Sequence, residues 1–132
     1  MRIGLMKWFK SMADLYLREQ DKAVLLQLLA QYLPKVSAWV YGSRINGTAH
    51  EASDLDIVLR SKDLTPIDYW ALEAFIEAIR ESSIPILVEA RDWARLPKSF
   101  HAEILKHYVV LKAADNLAEV NLELKTSGII QK

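Results

Sequence analysis

The amino-acid sequence predicts one α+β domain. At 132 residues the chain is long enough to bury a single hydrophobic core but not two. Apolar residues make up 52% and charged residues 26%, the balance of an ordinary globular protein. Short apolar segments of strand length alternate with longer segments that have apolar residues at helical spacing. These observations together favour a small domain with a few strands and packed helices.

The first half of the predicted domain is a helix followed by two strands. Asp21 is a candidate N-cap for a helix that runs to about Leu33 and is ended by Pro34. The apolar segment from Ala38 to Tyr41 predicts a buried strand, and the segment from Leu55 to Arg60 predicts a second one. These strands enclose the polar segment that carries the most informative residues of the chain.

The second half predicts a helix, a strand, a short helix and a last extended segment. Thr65 and Pro66 are a plausible start for a helix that continues to about Ser82, with an apolar stripe formed by Tyr69, Leu72, Phe75, Ile76 and Ile79. The later elements are a third strand at 84–89, a turn at 93–97, a short helix at 99–106, and a final strand or buried tether at 108–111.

The segment between the first two strands predicts an anion site beside a cation site. Gly42 permits a tight turn, and Ser43 can cap a short helix whose free N–H groups point at an anion. Asp54 and Asp56 are two residues apart, so both side chains lie on one face of a strand. Two such carboxylates repel each other unless a cation lies between them or one is protonated, and Mg²⁺ with phosphate oxygens suits them.

The pattern G-S-x10-D-x-D, from Gly42 to Asp56, resembles the signature of polymerase-β-type nucleotidyltransferases. The similarity covers roughly residues 20–111 and is strongest to the minimal nucleotidyltransferases, the MNT proteins. It implies a small mixed β-sheet, palm-like, with helices mainly on one face. It also implies ATP as substrate and one or two Mg²⁺ ions held by Asp54, Asp56 and a third carboxylate.

The third carboxylate is expected at Glu89, at the end of the predicted third strand. In the family this position is usually Asp, so Glu89 is one methylene longer. Asp92 is the alternative, although its spacing places it past the strand end. A purely structural role for Glu89, paired with Arg91 or another base, also remains open.

The nucleotide-binding residues implied by the resemblance are Gly42, Ser43, Arg44 and Gly47. Ser43 and the N–H groups after Gly42 are expected to hold the β- and γ-phosphates. Gly47, which has no side chain, is expected to keep the loop from blocking the entry of the nucleotide. For Arg44, a phosphate contact and simple solvation both remain open.

The short chain is expected to take its acceptor from outside, because few residues remain for an acceptor-binding domain. By resemblance, the acceptor is a helical HEPN ribonuclease toxin, which the MNT antitoxin silences by transferring AMP to a tyrosine. One alternative is a binding module that neutralises its partner by occlusion alone. Another is a transferase acting on a small molecule such as an aminoglycoside.

Charge and cysteine content limit the other function classes. The formal net charge is zero, so no general basic field attracts long nucleic acids, and without cysteine nothing argues for secretion. A cytoplasmic location without membrane insertion is therefore expected. We divide the chain into an N-terminal extension or extra helix (1–19), the catalytic domain (20–112) and a C-terminal tail (113–132) that is expected to be flexible or to order only on a partner. Residues 1–11 also fit a leader that precedes the native start.

Overall fold

The computed structural model describes residues 15–45 and 53–114. Three helices and four strands follow one another along the described chain. They are α1 (Glu19–Tyr32), β1 (Ser37–Tyr41), β2 (Leu55–Arg60), α2 (Tyr69–Arg80), β3 (Val88–Asp92), α3 (Lys98–Lys106) and β4 (Val109–Lys112). A 3-10 turn, Trp93–Arg95, links β3 to α3.

The four strands form one mixed sheet in the order β3-β2-β1-β4. β1 pairs antiparallel with both β2 and β4, whereas β2 and β3 are parallel. Helix α2 provides the crossover that parallel neighbours require. The predicted α+β architecture with a small mixed sheet is confirmed.

One face of the sheet is fully buried under helices. Ala38 and Val40 of β1 and Leu55, Ile57 and Leu59 of β2 have no exposed surface. They form one core cluster with the buried stripes of α1 and α2, which include Leu25, Leu29, Phe75 and Ile79. The two longer helices therefore cover the same face, as predicted.

The opposite face carries an aromatic cluster. Trp39 stacks on Tyr108 with ring centroids 4.1 Å apart and meets Trp93 edge to face at 5.8 Å. The guanidinium of Arg60, buried at the end of β2, lies 4.0 Å from the ring centroid of Trp39. Trp93 also stacks on His101 of α3, at 3.8 Å. This cluster packs α3 and the 3-10 turn against the sheet.

The predicted helices are present, but their starts differ from the sequence interpretation. Asp21 is not the cap of α1; it lies in the first turn, buried, and pairs with Arg18 at 2.8 Å. Helix α2 begins after Asp68, whose carboxylate accepts a hydrogen bond from Ala71 N–H, and not at Thr65. A carboxylate cap satisfies an N–H group that Thr65 is too early to reach. Tyr69, expected in the buried stripe, is 54% exposed.

The third strand is displaced from the predicted range 84–89 to Val88–Asp92. β3 pairs with β2 from Leu55 onward, and the N–H of Leu55 donates to the carbonyl of Leu87. In the parallel register, residues 84–86 lie beyond the first residue of β2 and have no residue of β2 to pair with. Pro85 also has no N–H to donate. Glu89 consequently lies near the start of its strand and not at its end.

The remaining predictions concern the last strand and the two termini. The segment predicted as a final strand or tether is the strand β4, paired with β1. Of the predicted N-terminal extension (1–19), residues 15–19 are described; Glu19 already belongs to α1, and Leu15 and Leu17 are buried against the domain. The possible leader at 1–11 and nearly all of the predicted tail lie outside the described residues. Within the described ranges, no helix is long and apolar enough to span a membrane.

Candidate active site

The turn after β1 brings the backbone against the carboxylate of Asp56. Gly42 has a φ of +88°, a conformation that residues with a Cβ rarely adopt. A Cβ at Gly42 would lie 2.6 Å from Asp56 Oδ2. Ile45 N–H donates to the Gly42 carbonyl at 3.2 Å and closes the turn. Glycine is therefore required here both by the turn and by the close approach of Asp56.

The sheet register aligns the expected acidic residues beside this turn. Asp56 is the pairing partner of Tyr41 on β1 and of Glu89 on β3, so the three residues form one row across the sheet. Asp54 lies two residues earlier, just before β2, and is exposed. Strand alternation puts Asp54 on the same face as Asp56. The parallel pair β2–β3 thus brings the two sequence-distant carboxylates, Asp56 and Glu89, together.

Asp92, the alternative third carboxylate, has a structural role on the other face. It is the last residue of β3, three positions after Glu89, so its side chain points away from the acidic row. Its buried carboxylate accepts hydrogen bonds from the N–H groups of Ile67, at 2.8 Å, and Ala94, at 3.1 Å. It also pairs with Arg95 at 2.6 Å. Asp92 therefore joins the loop before α2 to the end of β3.

Arg91, which the sequence analysis considered only as an ion-pair partner for Glu89, lies beside the acidic row and close to Asp56 as well. Its guanidinium lies 3.8 Å from Asp56 Oδ1 and 3.8 Å from Glu89 Oε1. It donates a hydrogen bond to the Tyr41 hydroxyl at 3.2 Å. The sequence does indicate that Arg91 lies on the face of Glu89, because the two residues are two apart in a strand.

The electrostatics of the row are coupled. Burial raises the pKa of Asp56 above its ordinary value of 3.8, Arg91 opposes that rise, and the charges of Asp54 and Glu89 add to it. Burial also raises the pKa of the Tyr41 hydroxyl, an effect that the hydrogen bond from Arg91 opposes. The site is therefore one in which negative charge is costly and a cation is favoured.

The predicted phosphate-binding residues have different surroundings. Ser43 lies in the turn after Gly42, which in the described part is a hydrogen-bonded turn and not a helix. Arg44 is neither solvated nor directed at open solvent: only 6% of it is exposed. Its guanidinium donates to the carbonyl of Ser53, at 3.2 and 2.6 Å, and to that of Tyr16, at 3.0 Å. Gly47 lies outside the described residues.

Arg44 consequently connects the turn after β1 to Ser53, just before β2, and to Tyr16. Its backbone carbonyl accepts a hydrogen bond from Tyr16 N–H at 2.7 Å, and its guanidinium lies 5.2 Å from the Tyr16 ring centroid. His107, at the end of α3, hydrogen-bonds the carbonyl of Ile45 through Nε2 at 2.9 Å. The two ends of the loop are therefore fixed from both sides.

The donor chemistry of the row fits a hard divalent cation. Carboxylate oxygens are the ligands that Mg²⁺ prefers, and the Asp56 carboxylate has both Asp54 and Glu89 as electrostatic neighbours. The side-chain positions are not those of a complete metal site: in the two described ranges, no three His, Cys, Asp or Glu side chains are grouped closely enough to hold an ion. A third ligand would require side-chain rearrangement.

A mixed sheet with a glycine turn facing a row of strand carboxylates is the architecture of a nucleotidyltransferase. The family model described as "Polymerase beta, Nucleotidyltransferase" matches residues 25–117. The match spans well over half of the chain, and the protein therefore belongs to the polymerase β nucleotidyltransferase family.

A curated relative supports this assignment in greater detail. The chain is 34% identical over 109 residues to the "Probable protein adenylyltransferase MntA" of Haemophilus influenzae. This similarity covers 83% of the present chain and 94% of the relative.

Crystal structures with low sequence identity share the fold. One is that of tri-AMPylated Shewanella oneidensis HEPN toxin in complex with MNT antitoxin, with a TM-score of 0.59 at 16% identity and 87% coverage of each chain. A second, of a toxin–antitoxin with AMP-PNP, has a TM-score of 0.60 at 20% identity and covers 86% of this chain and 88% of that one.

Proposed function

We propose that this nucleotidyltransferase moves AMP from ATP onto a hydroxyl of a HEPN-type protein, and so acts as the antitoxin of a toxin–antitoxin pair in the cytoplasm. The main supporting observation is the row of Asp56 and Glu89 beside Gly42. It occurs in a chain 34% identical to a probable protein adenylyltransferase. The two fold relatives, one with an AMPylated HEPN toxin and one with AMP-PNP, support the choice of partner and nucleotide.

Each residue has a distinct task in the proposed reaction. Asp54 and Asp56 would hold Mg²⁺, with Glu89 as the third carboxylate. Ser43 and the N–H groups after Gly42 bind the β- and γ-phosphates. Arg44 acts indirectly, because its guanidinium is hydrogen-bonded to the carbonyls of Tyr16 and Ser53. Bound Mg²⁺ supplies electrostatic stabilisation of the charge that develops on the phosphoryl oxygens.

The proposed chemistry is a single displacement. The acceptor oxygen forms a bond to the α-phosphorus, and the bond from that phosphorus to the bridging oxygen of pyrophosphate breaks. Glu89, half-exposed on the open side of the row, takes the proton of the acceptor hydroxyl. The products are an AMP-modified acceptor and pyrophosphate.

The decisive experiment measures intact mass on both proteins after incubation with ATP, Mg²⁺ and a HEPN-domain protein from the same organism. We expect the partner to gain the mass of one or more AMP units. The double variant Asp54→Asn/Asp56→Asn should abolish the gain. Asp63→Asn is the matched control, because it makes the same chemical change at an exposed carboxylate in the turn after β2, outside the row.

Occlusion without chemistry is a second candidate function, favoured by two observations. The described carboxylates are not grouped as a complete metal site, and Glu89 lies next to Arg91. A stable complex that forms without ATP, with no mass gain on the partner, would establish occlusion. Absence of both the complex and the mass gain would refute the proposed partner.

A further inference from the structure

Arg91 places a fixed positive charge inside the acidic row. Its guanidinium lies 3.8 Å from one oxygen of Asp56 and 3.8 Å from one oxygen of Glu89. Both distances are too long for directed hydrogen bonds. Its guanidinium donates a hydrogen bond to the Tyr41 hydroxyl, at 3.2 Å. Arg91 is thus anchored by Tyr41 and interacts with the carboxylates mainly through its charge.

The surroundings keep the guanidinium at this position. β3 pairs Arg91 with Val58, one step along the same face from the pair of Glu89 and Asp56. The guanidinium also lies 6.0 Å from the ring centroid of Phe100 on α3. Tyr41 itself packs edge to face on Phe100, at 5.8 Å. Phe100 therefore contacts both Arg91 and its hydrogen-bond partner, Tyr41.

We propose that Arg91 is a built-in countercharge that makes the acidic row select a metal–nucleotide complex over a free divalent cation. This inference rests on the proposed function, since it concerns the metal site of that reaction. A free cation meets the repulsion of Arg91, whereas a metal–triphosphate complex carries net negative charge that Arg91 attracts. Arg91 is thus a positioning and selectivity residue for the entry of substrate.

The size of the effect follows from Coulomb's law. A divalent cation about 6 Å from one guanidinium charge, in a medium as polar as water, loses about tenfold in affinity. Water-like screening is appropriate because the Arg91 side chain is 41% exposed. Added salt weakens the effect, because exposed charges are screened over about 8–10 Å at physiological ionic strength.

The test uses Mn²⁺ as the probe and two binding measurements on the full chain. Electron paramagnetic resonance gives the affinity for free Mn²⁺, and calorimetry gives the affinity for Mn²⁺ with AMP-PNP. In Arg91→Gln we expect free Mn²⁺ to bind about tenfold more tightly and the Mn²⁺–AMP-PNP complex to bind more weakly. Arg91→Lys keeps the charge and should retain the free Mn²⁺ affinity of the wild type.

The matched control is Arg80→Gln, which removes the same charge from an exposed ion pair with Glu77 on α2. It should leave both affinities unchanged. A second variant, Glu89→Gln/Arg91→Gln, should gain less free Mn²⁺ affinity than Arg91→Gln alone. Thermal unfolding of every variant verifies that it is folded.

The outcomes separate this inference from the proposed function. Unchanged or weaker free Mn²⁺ binding in Arg91→Gln, or no binding in either the wild type or the variant, overturns the countercharge. Binding that appears only in Arg91→Gln supports it. If the affinities shift as expected but no AMP reaches a HEPN protein, the selectivity role stands and the proposed function fails.

Discussion

The contact between Gly42 and Asp56 makes Gly42→Ala the most informative single change. The new Cβ would lie 2.6 Å from Asp56 Oδ2 and 3.4 Å from its Cβ and Cγ. The oxygen is the far end of a side chain, so the carboxylate rotates away at small cost. The backbone has no such escape, because Gly42 is held at a φ of +88°. We therefore expect a moderate loss of stability and a large loss of function.

The two effects have different magnitudes. A residue with a Cβ pays about 1–2 kcal/mol for a left-handed backbone conformation. For a domain of this size, that corresponds to a fall of roughly 3–8 °C in Tm. Displacement of the Asp56 carboxylate by about 1 Å is expected to reduce AMP transfer about 100-fold.

Thermal unfolding by circular dichroism measures the first effect, and AMP transfer together with Mn²⁺ affinity measures the second. Gly42→Asn is the matched control, because Asn tolerates a positive φ but still carries a Cβ. It should lose less stability than Gly42→Ala and just as much transfer. Transfer at the wild-type rate in either variant would refute the reasoning that Gly42 makes room for Asp56.

Three further predictions concern charged groups around the site. Arg44→Met removes three hydrogen bonds to the carbonyls of Tyr16 and Ser53 and should lower the free energy of unfolding by about 2–3 kcal/mol in urea denaturation. If Arg44→Lys were as stable as the wild type, the contact would not need the forked guanidinium. Asp92→Ala should lower the free energy of unfolding by about 2–4 kcal/mol in the same assay, because it leaves buried N–H groups unpaired. It should leave the Mn²⁺ affinity unchanged, and an altered affinity would indicate that Asp92 is a metal ligand. Because the pKa of Asp56 is raised in the folded state above 3.8, its contribution to stability is greatest below that pH and is lost as the pH rises through the folded-state pKa. Asp56→Asn should therefore become more stable relative to the wild type from about pH 4 upward, and a difference independent of pH would disprove the shift.

The order of elements could be predicted from the sequence because each carries its own local signal. Strand β2 contains the branched apolar residues Ile57, Val58 and Leu59 in succession, and α2 has a helical stripe centred on Phe75. The boundaries could not be predicted, because they depend on tertiary partners. Strand β3 begins at Val88 because its neighbour begins at Leu55, a fact that no local pattern contains.

The candidate site shows the same division. Asp54 and Asp56 are two residues apart, so strand alternation alone predicts that they share a face. The position of Gly42 beside them was implied by the family resemblance. Glu89 required the additional guess that its strand lies beside β2, which the register supports. Arg91 was considered only as an ion-pair partner for Glu89, and its approach to Asp56 depends on the pairing of β3 with β2, which no local pattern contains.

The exposed position of Asp54 and the burial of Arg44 were likewise beyond local reasoning. Arg44 follows Ser43 directly, which suggested a role at the phosphates. Burial of its guanidinium depends on Tyr16 and Ser53, residues from two other parts of the chain. A side chain with several possible partners is assigned only once the fold determines which of them are near.

The aromatic cluster around Arg60 also gives the protein an optical reporter. Trp39 and Trp93 are buried and 5.8 Å apart, close enough for their excited states to couple in circular dichroism. Trp70, 73% exposed, instead emits as a solvated indole that dissolved quenchers reach freely. Phe100 contacts Tyr41 and Arg91, and the next residue of α3, His101, stacks on Trp93. A change in the near-ultraviolet spectrum on nucleotide addition would therefore report events at the acidic row without any label.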